Sequence, residues 1–410
     1  MGVFMKIKKI IIILNIIFIT CFNLISYAKS DKYKKYENSF YGKKLDPKWL
    51  LDRISQGGDY LCRFQYNNGR FYYTVDPFTG REITSQKGRN YSLVRHFGAI
   101  LSLLQLYKLT SNDKYLNHAR SAIKYALRFA KSTKNGYQIM FYPNRESSGE
   151  NGFCLIALSW YYNVTKGDNI FLDKMEGIAN FILSRIDSDG KLLIGKYKAN
   201  AKKWSWSQVA IGLMLYDKFY LNHKSKLIQN KVNKMLSFLV KDEISDHWFP
   251  QAALLFCQEY QKNSTFFNAA KKWSITISSK MYTQSNAPST FYIGTSFTSN
   301  SSCMVAARSE GFLDVYKLGL IFGDKNLCKR LNVTLQNSIY FLLQHQYTDE
   351  GFTSIKSDKI DIDDPNIEGG WFLSINNSNI RIDYVRHSIS LIAKIIDLNK
   401  INKINLNFSN

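Results

Sequence analysis

The sequence predicts an all-α fold, an (α/α)6 toroid of six outer–inner helical hairpins with small β-hairpins on the returning loops. Three observations predict it. Two kinds of helical pattern alternate along the chain, and the connections between them alternate in length. One polar triplet, Val-Arg-His, stands at the head of the first inner helix (94–96) and again at the head of the last (385–387).

Outer helices are expected over roughly 47–66, 113–131, 169–185, 223–241, 263–281 and 325–345. The stretch 114-KYLNHARSAIKYALRFAK-131 shows the type, with Tyr115, Ala119, Ala122, Ile123, Ala126 and Leu127 at helical spacing and basic residues between them. A striped helix of this kind covers a core and faces water on its other side. Inner helices are expected over roughly 92–107, 151–163, 205–218, 248–261, 302–319 and 382–398. They are apolar on nearly every face, as in 153-FCLIALSWYY-162, which marks a helix buried all round.

Short turns such as 108–114 and 164–169 lead from an inner helix to the next outer one. Longer connections return, and four of them carry Asn68-Gly69, Asn135-Gly136, Asp189-Gly190 and Glu350-Gly351. Three of the four run on into apolar alternation at 70–76, 137–142 and 191–197, the pattern of a small hairpin. Repetition at a period of about fifty residues signals stacked helical pairs, either an open solenoid or a ring. The paired triplets favour the ring, because there the first and last inner helices are neighbours and Arg95 and Arg386 stand at the same end. No Pro- or Ser-rich linker interrupts 47–400, which reads as one domain between a basic extension (29–46) and a short tail (401–410).

Residues 1–28 read as a signal peptide: a basic start (1–9), an apolar run (10–25) and small residues ending at Ala28. A bilayer span needs about 20 apolar residues, so cleavage near Ala28 and export to the periplasm or medium is the expectation, with an uncleaved anchor as the alternative. The formal net charge of +23 draws the chain towards polyanions. The lysines are spread rather than clustered, so nucleic acid is not the expected partner. The five cysteines beyond the signal segment are odd in number and far apart, which gives no disulfide framework. With no Cys-x-x-Cys and no His-Glu-x-x-His, neither a metal site nor another cofactor is expected.

The layout of outer–inner pairs with glycine turns on the returning loops resembles the toroids of the six-hairpin glycosidase group, over nearly all of 47–400. The resemblance implies a substrate funnel at the end formed by those loops and the inner-helix N-termini. It also implies a glycan substrate cut by glycosidic-bond hydrolysis. Polysaccharide lyases and sugar epimerases share such toroids and stand as the alternative, ahead of a non-catalytic glycan- or protein-binding scaffold.

Helix N-termini present unpaired N–H groups and a positive dipole end, which suits hydroxyl-rich or anionic ligands. Candidates therefore lie at the inner-helix starts. Tyr91, Trp204, Trp206, Trp248, Trp371 and Tyr384 can offer ring faces to sugars, with capping of the apolar core as the even competitor. Arg95, His96, Arg308, Arg386 and His387, with Gln251, make the region cationic and suit a uronic-acid carboxylate. Beside an arginine, a His or Tyr base would serve elimination or epimerisation. Hydrolysis instead needs two carboxylates. Asp383 and Glu310 are the expected acid–base pair, with Glu150 as substitute for either and a structural Asp383–Arg386 ion pair as the competing reading.

Overall fold

The computed structural model describes residues 38–83, 91–142, 146–194, 204–241, 246–348, 367–374 and 376–400. The signal segment, residues 29–37 of the basic extension, the tail and the Glu350-Gly351 turn lie outside the described residues.

The outer helices are α1 (Pro47–Arg63), α3 (Asp113–Leu127), α5 (Leu172–Ser184), α7 (Lys226–Val240), α9 (Ser264–Ser278) and α11 (Lys325–Leu343). The inner ones are α2 (Leu93–Thr110), α4 (Ser148–Val164), α6 (Trp204–Phe219), α8 (Trp248–Glu259), α10 (Ser302–Phe322) and α12 (Ile382–Lys400). Every expected helix is present. Five of the six outer helices start on a side-chain cap: Asp46 accepts from the Lys48 and Trp49 N–H groups at the head of α1, and Asn112, Ser225, Asn263 and Asp324 cap α3, α7, α9 and α11, while α5 starts on Phe171 without one. Each such cap stabilises by about 1 kcal/mol. By contrast, α2 and α10 begin with no side-chain cap, leaving first-turn N–H groups open at one end of the ring.

Each inner helix packs on the next, and α12 packs on α2, so the six close into a barrel. Helices that are apolar all round leave no face for solvent, and closure is the arrangement that buries both end helices. Small residues bring α2 and α12 together: Ser102 Oγ donates to the Arg386 carbonyl at 2.9 Å and lies 3.1 Å from Ser390 Oγ.

The returning loops dock through glycine. Gly69, after α1, has φ +90°, and a Cβ there would stand 2.2 Å from the Ser121 carbonyl oxygen of α3. Both the backbone angle and the space exclude other residues. Gly136, Gly190 and Gly294 sit the same way on α5, α7 and α11, and Gly369, after α11, sits on the Gln56 carbonyl of α1. The outer layer thus closes as the inner one does.

Five short strands decorate the loops: β1 (Thr74–Val75), β2 (Ala130–Thr133), β3 (Gly136–Ile139), β4 (Phe372–Ser374) and β5 (Asn377–Arg381). The hairpin expected at 137–142 is β2–β3, and of the one expected at 191–197 the described residues show the bridge Ile186↔Leu192, with 195–197 outside them. β1 pairs with β5 (Thr74↔Arg381, Val75↔Ile380), and β5 pairs with β4. This sheet joins the first returning loop to the last, beside the seam between α2 and α12. Its two later strands fall in a segment read from sequence as plain loop, because 377-NSNIR-381 carries too few apolar residues to show a strand period. Among the described residues no helix is long and apolar enough to cross a membrane.

Candidate active site

The seam between α2 and α12 is charged at its mouth. Arg95 Nε lies 3.0 Å from Asp383 Oδ2, while Arg381 grips the same carboxylate through Nε (2.5 Å) and Nη2 (2.9 Å). Cys303, at the head of α10, donates to Asp383 Oδ2 from 3.5 Å, and Arg95 also donates to the Tyr73 hydroxyl. Burial pushes the Asp383 carboxyl up, but the Arg381 hydrogen bonds and the Arg95 charge outweigh it and hold the group below the usual carboxylate range.

Deeper in the barrel, Glu310 Oε1 accepts from His387 Nδ1 at 2.6 Å and Oε2 accepts from Lys394 at 3.2 Å. Lys394 also approaches Asp314 Oδ2 at 3.6 Å. Burial raises the Glu310 carboxyl, and the Lys394 and His387 partners bring it down to about 2. Both members of the expected acid–base pair are therefore ionised, with their oxygens committed to cations. A proton donor needs the reverse, a carboxyl held neutral. Neither Asp383 nor Glu310 is thus held as a proton donor would be: they anchor arginines, a histidine and a lysine.

The Asp383–Arg386 ion pair is corrected too, since Asp383 is held by Arg381 and Arg95. Arg386 instead reaches across the barrel. Its guanidinium lies 5.4 Å from the Phe153 ring centre on α4 and 5.7 Å from that of Trp248 on α8. It passes so close to Gly98 of α2 that a Cβ there would meet its Cδ at 2.3 Å. Phe153 and Trp248 touch edge to face at 5.0 Å. Side chains from α4, α8 and α12, fitted against Gly98 of α2, close the barrel and form a floor below the mouth.

Several other expected site residues belong to the core. His96 is fully buried, with Nδ1 2.7 Å from the Tyr91 hydroxyl and Nε2 2.9 Å from the Ala122 carbonyl of α3, so it points outward and ties α2 to its outer partner. Tyr91 accepts from the Phe71 N–H through the same hydroxyl. Trp371 is fully buried, lies against Gly57 and donates from its indole N–H to the Leu342 carbonyl at 2.9 Å. Trp206 stacks on Phe238 of α7, away from the barrel axis. The sugar-facing roles expected for Trp371, Trp206, Tyr91 and His96 are corrected: each ring is spent on joining helices. The ring of Trp204, the first residue of α6, falls outside the described residues. Tyr384 is buried beneath the Arg381 guanidinium, whereas Arg308 and Gln251 are half-buried on α10 and α8. The matched triplets are not equivalent positions either. Arg95 is the third residue of α2 and Arg386 the fifth of α12, so His96 turns out of the barrel while His387 turns in.

Sequence reading missed Asp246 and His247. Asp246 Oδ1 accepts from the Trp248 and Phe249 N–H groups at 2.8 and 3.1 Å, heading α8. Burial, the larger effect, pushes its carboxyl up to about 7 against the pull of those N–H groups. The signal was present as an acidic residue two places before an inner-helix tryptophan. His247 rests beside the Trp248 ring at 4.6 Å and 5.6 Å from the His387 ring, and its Nε2 is buried without a hydrogen-bond partner. Across the floor, Glu150 lies one helical turn mouthward of Phe153 and is nearly buried, its Oε2 3.5 Å from the Phe141 N–H. Among the described residues no cluster of three or more His, Cys, Asp or Glu could hold a metal ion.

No protein-family model matches the sequence, and no curated protein matches it. Solved structures match in fold. A GH76 alpha-mannanase of Bacteroides thetaiotaomicron is 12% identical with a TM-score of 0.59, covering 88% of this chain and 100% of its own. An unsaturated glucuronyl hydrolase specific for heparin is 13% identical with a TM-score of 0.56, covering 88% of this chain and 100% of its own. A D-mannose isomerase is 12% identical with a TM-score of 0.59, covering 87% of this chain and 98% of its own. The fold these structures share with this chain is the (α/α)6 toroid that the sequence layout implied.

Proposed function

We propose that this chain is an exported carbohydrate-active enzyme that hydrolyses glycosidic bonds in a polysaccharide, with Asp246 as proton donor and Glu150 as its opposing carboxylate. One observation carries the reading. Phe153 and Trp248 touch across the barrel, and a carboxyl group stands mouthward of each, Glu150 on α4 and Asp246 at the head of α8. The two differ in surroundings: Asp246 holds its proton near neutrality, as a general acid must. In the reaction Asp246 protonates the leaving glycosidic oxygen as the anomeric C–O bond breaks. Glu150 then either takes a proton from the attacking water or adds to the anomeric carbon and is displaced by water. The solved toroids that share this fold are named for work on mannan, unsaturated glucuronides and mannose, which supports a glycan as substrate. The basic-apolar-small pattern of 1–28 supports export.

A second reading, elimination or epimerisation at a uronic acid, is favoured by His247, a neutral imidazole with a free nitrogen near Arg386. A screen of the protein against neutral and acidic glycans decides between them. Reducing ends without unsaturated-uronate absorbance mean hydrolysis, and both together mean elimination. A change of sugar configuration without cleavage means epimerisation, and binding without product means a scaffold.

A further inference from the structure

We propose that Arg386 and His247 form a receptor for a compact oxyanion carried on the sugar ring, a carboxylate or a sulfate ester, so that the substrate of the mouth is an acidic glycan. This deepens the proposed function and rests on it for the word glycan.

The observation is a buried cation with no counter-ion. Arg386 is 5% exposed, and its Nε has no hydrogen-bond partner. The carboxylates nearest it in charge, Glu310 and Asp383, are committed elsewhere: Glu310 to His387 and Lys394, Asp383 to Arg381, Arg95 and Cys303. Among the described residues no carboxylate forms an ion pair with Arg386. A buried charge left unpaired is among the costliest features a fold can carry, and it persists where a ligand supplies the missing partner.

Three further features fit a ligand rather than an accident of packing. The His247 Nε2 is a second orphaned polar atom beside the same Trp248 ring, and it can donate once the tautomer places its hydrogen there. Gly98 gives the guanidinium its place in the barrel, since Arg386 itself fills the volume that a side chain there would take. The Phe153 and Trp248 rings hold the guanidinium through cation–π contacts at 5.4 and 5.7 Å, which take up none of its N–H groups. A guanidinium fork matches an oxyanion with two oxygens in one plane, the geometry of carboxylate and sulfate.

The test measures binding by calorimetry and unfolding by thermal scan on the full chain. Four probes are used: trigalacturonate, its methyl ester, a sulfated disaccharide and neutral mannotriose. Trigalacturonate or the sulfated sugar should bind, and which of the two binds identifies the oxyanion. Arg386→Met should weaken that binding about 10- to 100-fold. Its midpoint of unfolding should hold or rise, because an uncompensated buried charge has been removed. Arg386→Lys keeps the charge and loses the fork, so it should fold and still bind weakly. The proposal is overturned if no acidic probe binds, if mannotriose or the ester binds as well as the acidic probe that does, or if Arg386→Met melts several degrees earlier while binding is unchanged per folded molecule. Acidic-sugar binding with no product would leave this receptor standing and remove the hydrolase. Cleavage of a neutral glycan by wild type and Arg386→Met alike would do the opposite.

Discussion

Arg95 in the first turn of the first inner helix and Asp383 in the first turn of the last meet at 3.0 Å, so the ring is latched at its mouth by an ion pair between helices almost three hundred residues apart. Arg381 grips the same carboxylate from the strand β5, which itself pairs with β1 of the first returning loop. Helix, strand and side chain thus converge on one seam. Asp383→Asn should leave two guanidiniums facing each other without their anion, at a cost on the order of 3 kcal/mol. Chemical denaturation measures it, and a variant as stable as wild type removes the latch.

Acid should remove two stabilising contributions in turn. His96 is held at about 4 inside the fold, below the ordinary imidazole value of about 6.5, so the unfolded chain binds its proton more readily. The contribution of His96 is therefore full above pH ~6.5 and is lost as pH drops towards 4, by up to about 3 kcal/mol at 1.36 kcal/mol per unit. Glu310, held at about 2, is also a depressed group, and its contribution is lost below pH ~4. The difference in unfolding midpoint between wild type and His96→Gln, followed from pH 7 to 4, should shift with pH in step with the loss of the His96 contribution.

Asp246→Asn separates chemistry from capping. Asparagine heads a helix as well as aspartate does, so the thermal midpoint should move little. Loss of the proton donor should lower kcat on the cleaved glycan by about 100- to 10,000-fold. In the wild type, activity should decline above pH ~7 as the carboxyl ionises, and that limb should vanish in the variant. Unchanged turnover in Asp246→Asn returns Asp246 to the role of a helix cap.

Gly369→Ala tests closure of the outer layer. At φ +83°, with the Gln56 carbonyl oxygen 2.2 Å from where a Cβ would stand, alanine must strain the backbone and push the loop off α1. A loss of about 2–4 kcal/mol is expected. An alanine variant with wild-type stability would mean that the last loop does not need its seat on the first helix.

The sequence by itself determined the helices, their alternation and their closure, because these follow from local periodicity and from the need to bury helices that are apolar on every face. The Asn-Gly and Asp-Gly turns were legible for the same reason, since a positive φ narrows the choice of residue at once. It also placed Arg95, Asp383, Arg386 and Trp248 at one end of the barrel, where they do gather. What each polar side chain does there was decided only by the tertiary structure. Asp383 and Glu310 looked like an acid and a base until neighbours from other helices, Arg95, His387 and Lys394, committed their oxygens. Trp371 and His96 looked like site residues until the carbonyls of Leu342 and Ala122 claimed them. The charge state of a carboxyl depends on what lies within a few ångströms of it, and here that is set by residues far away in the chain. No reading along the chain could see Asp246 kept neutral or Arg386 left without an anion.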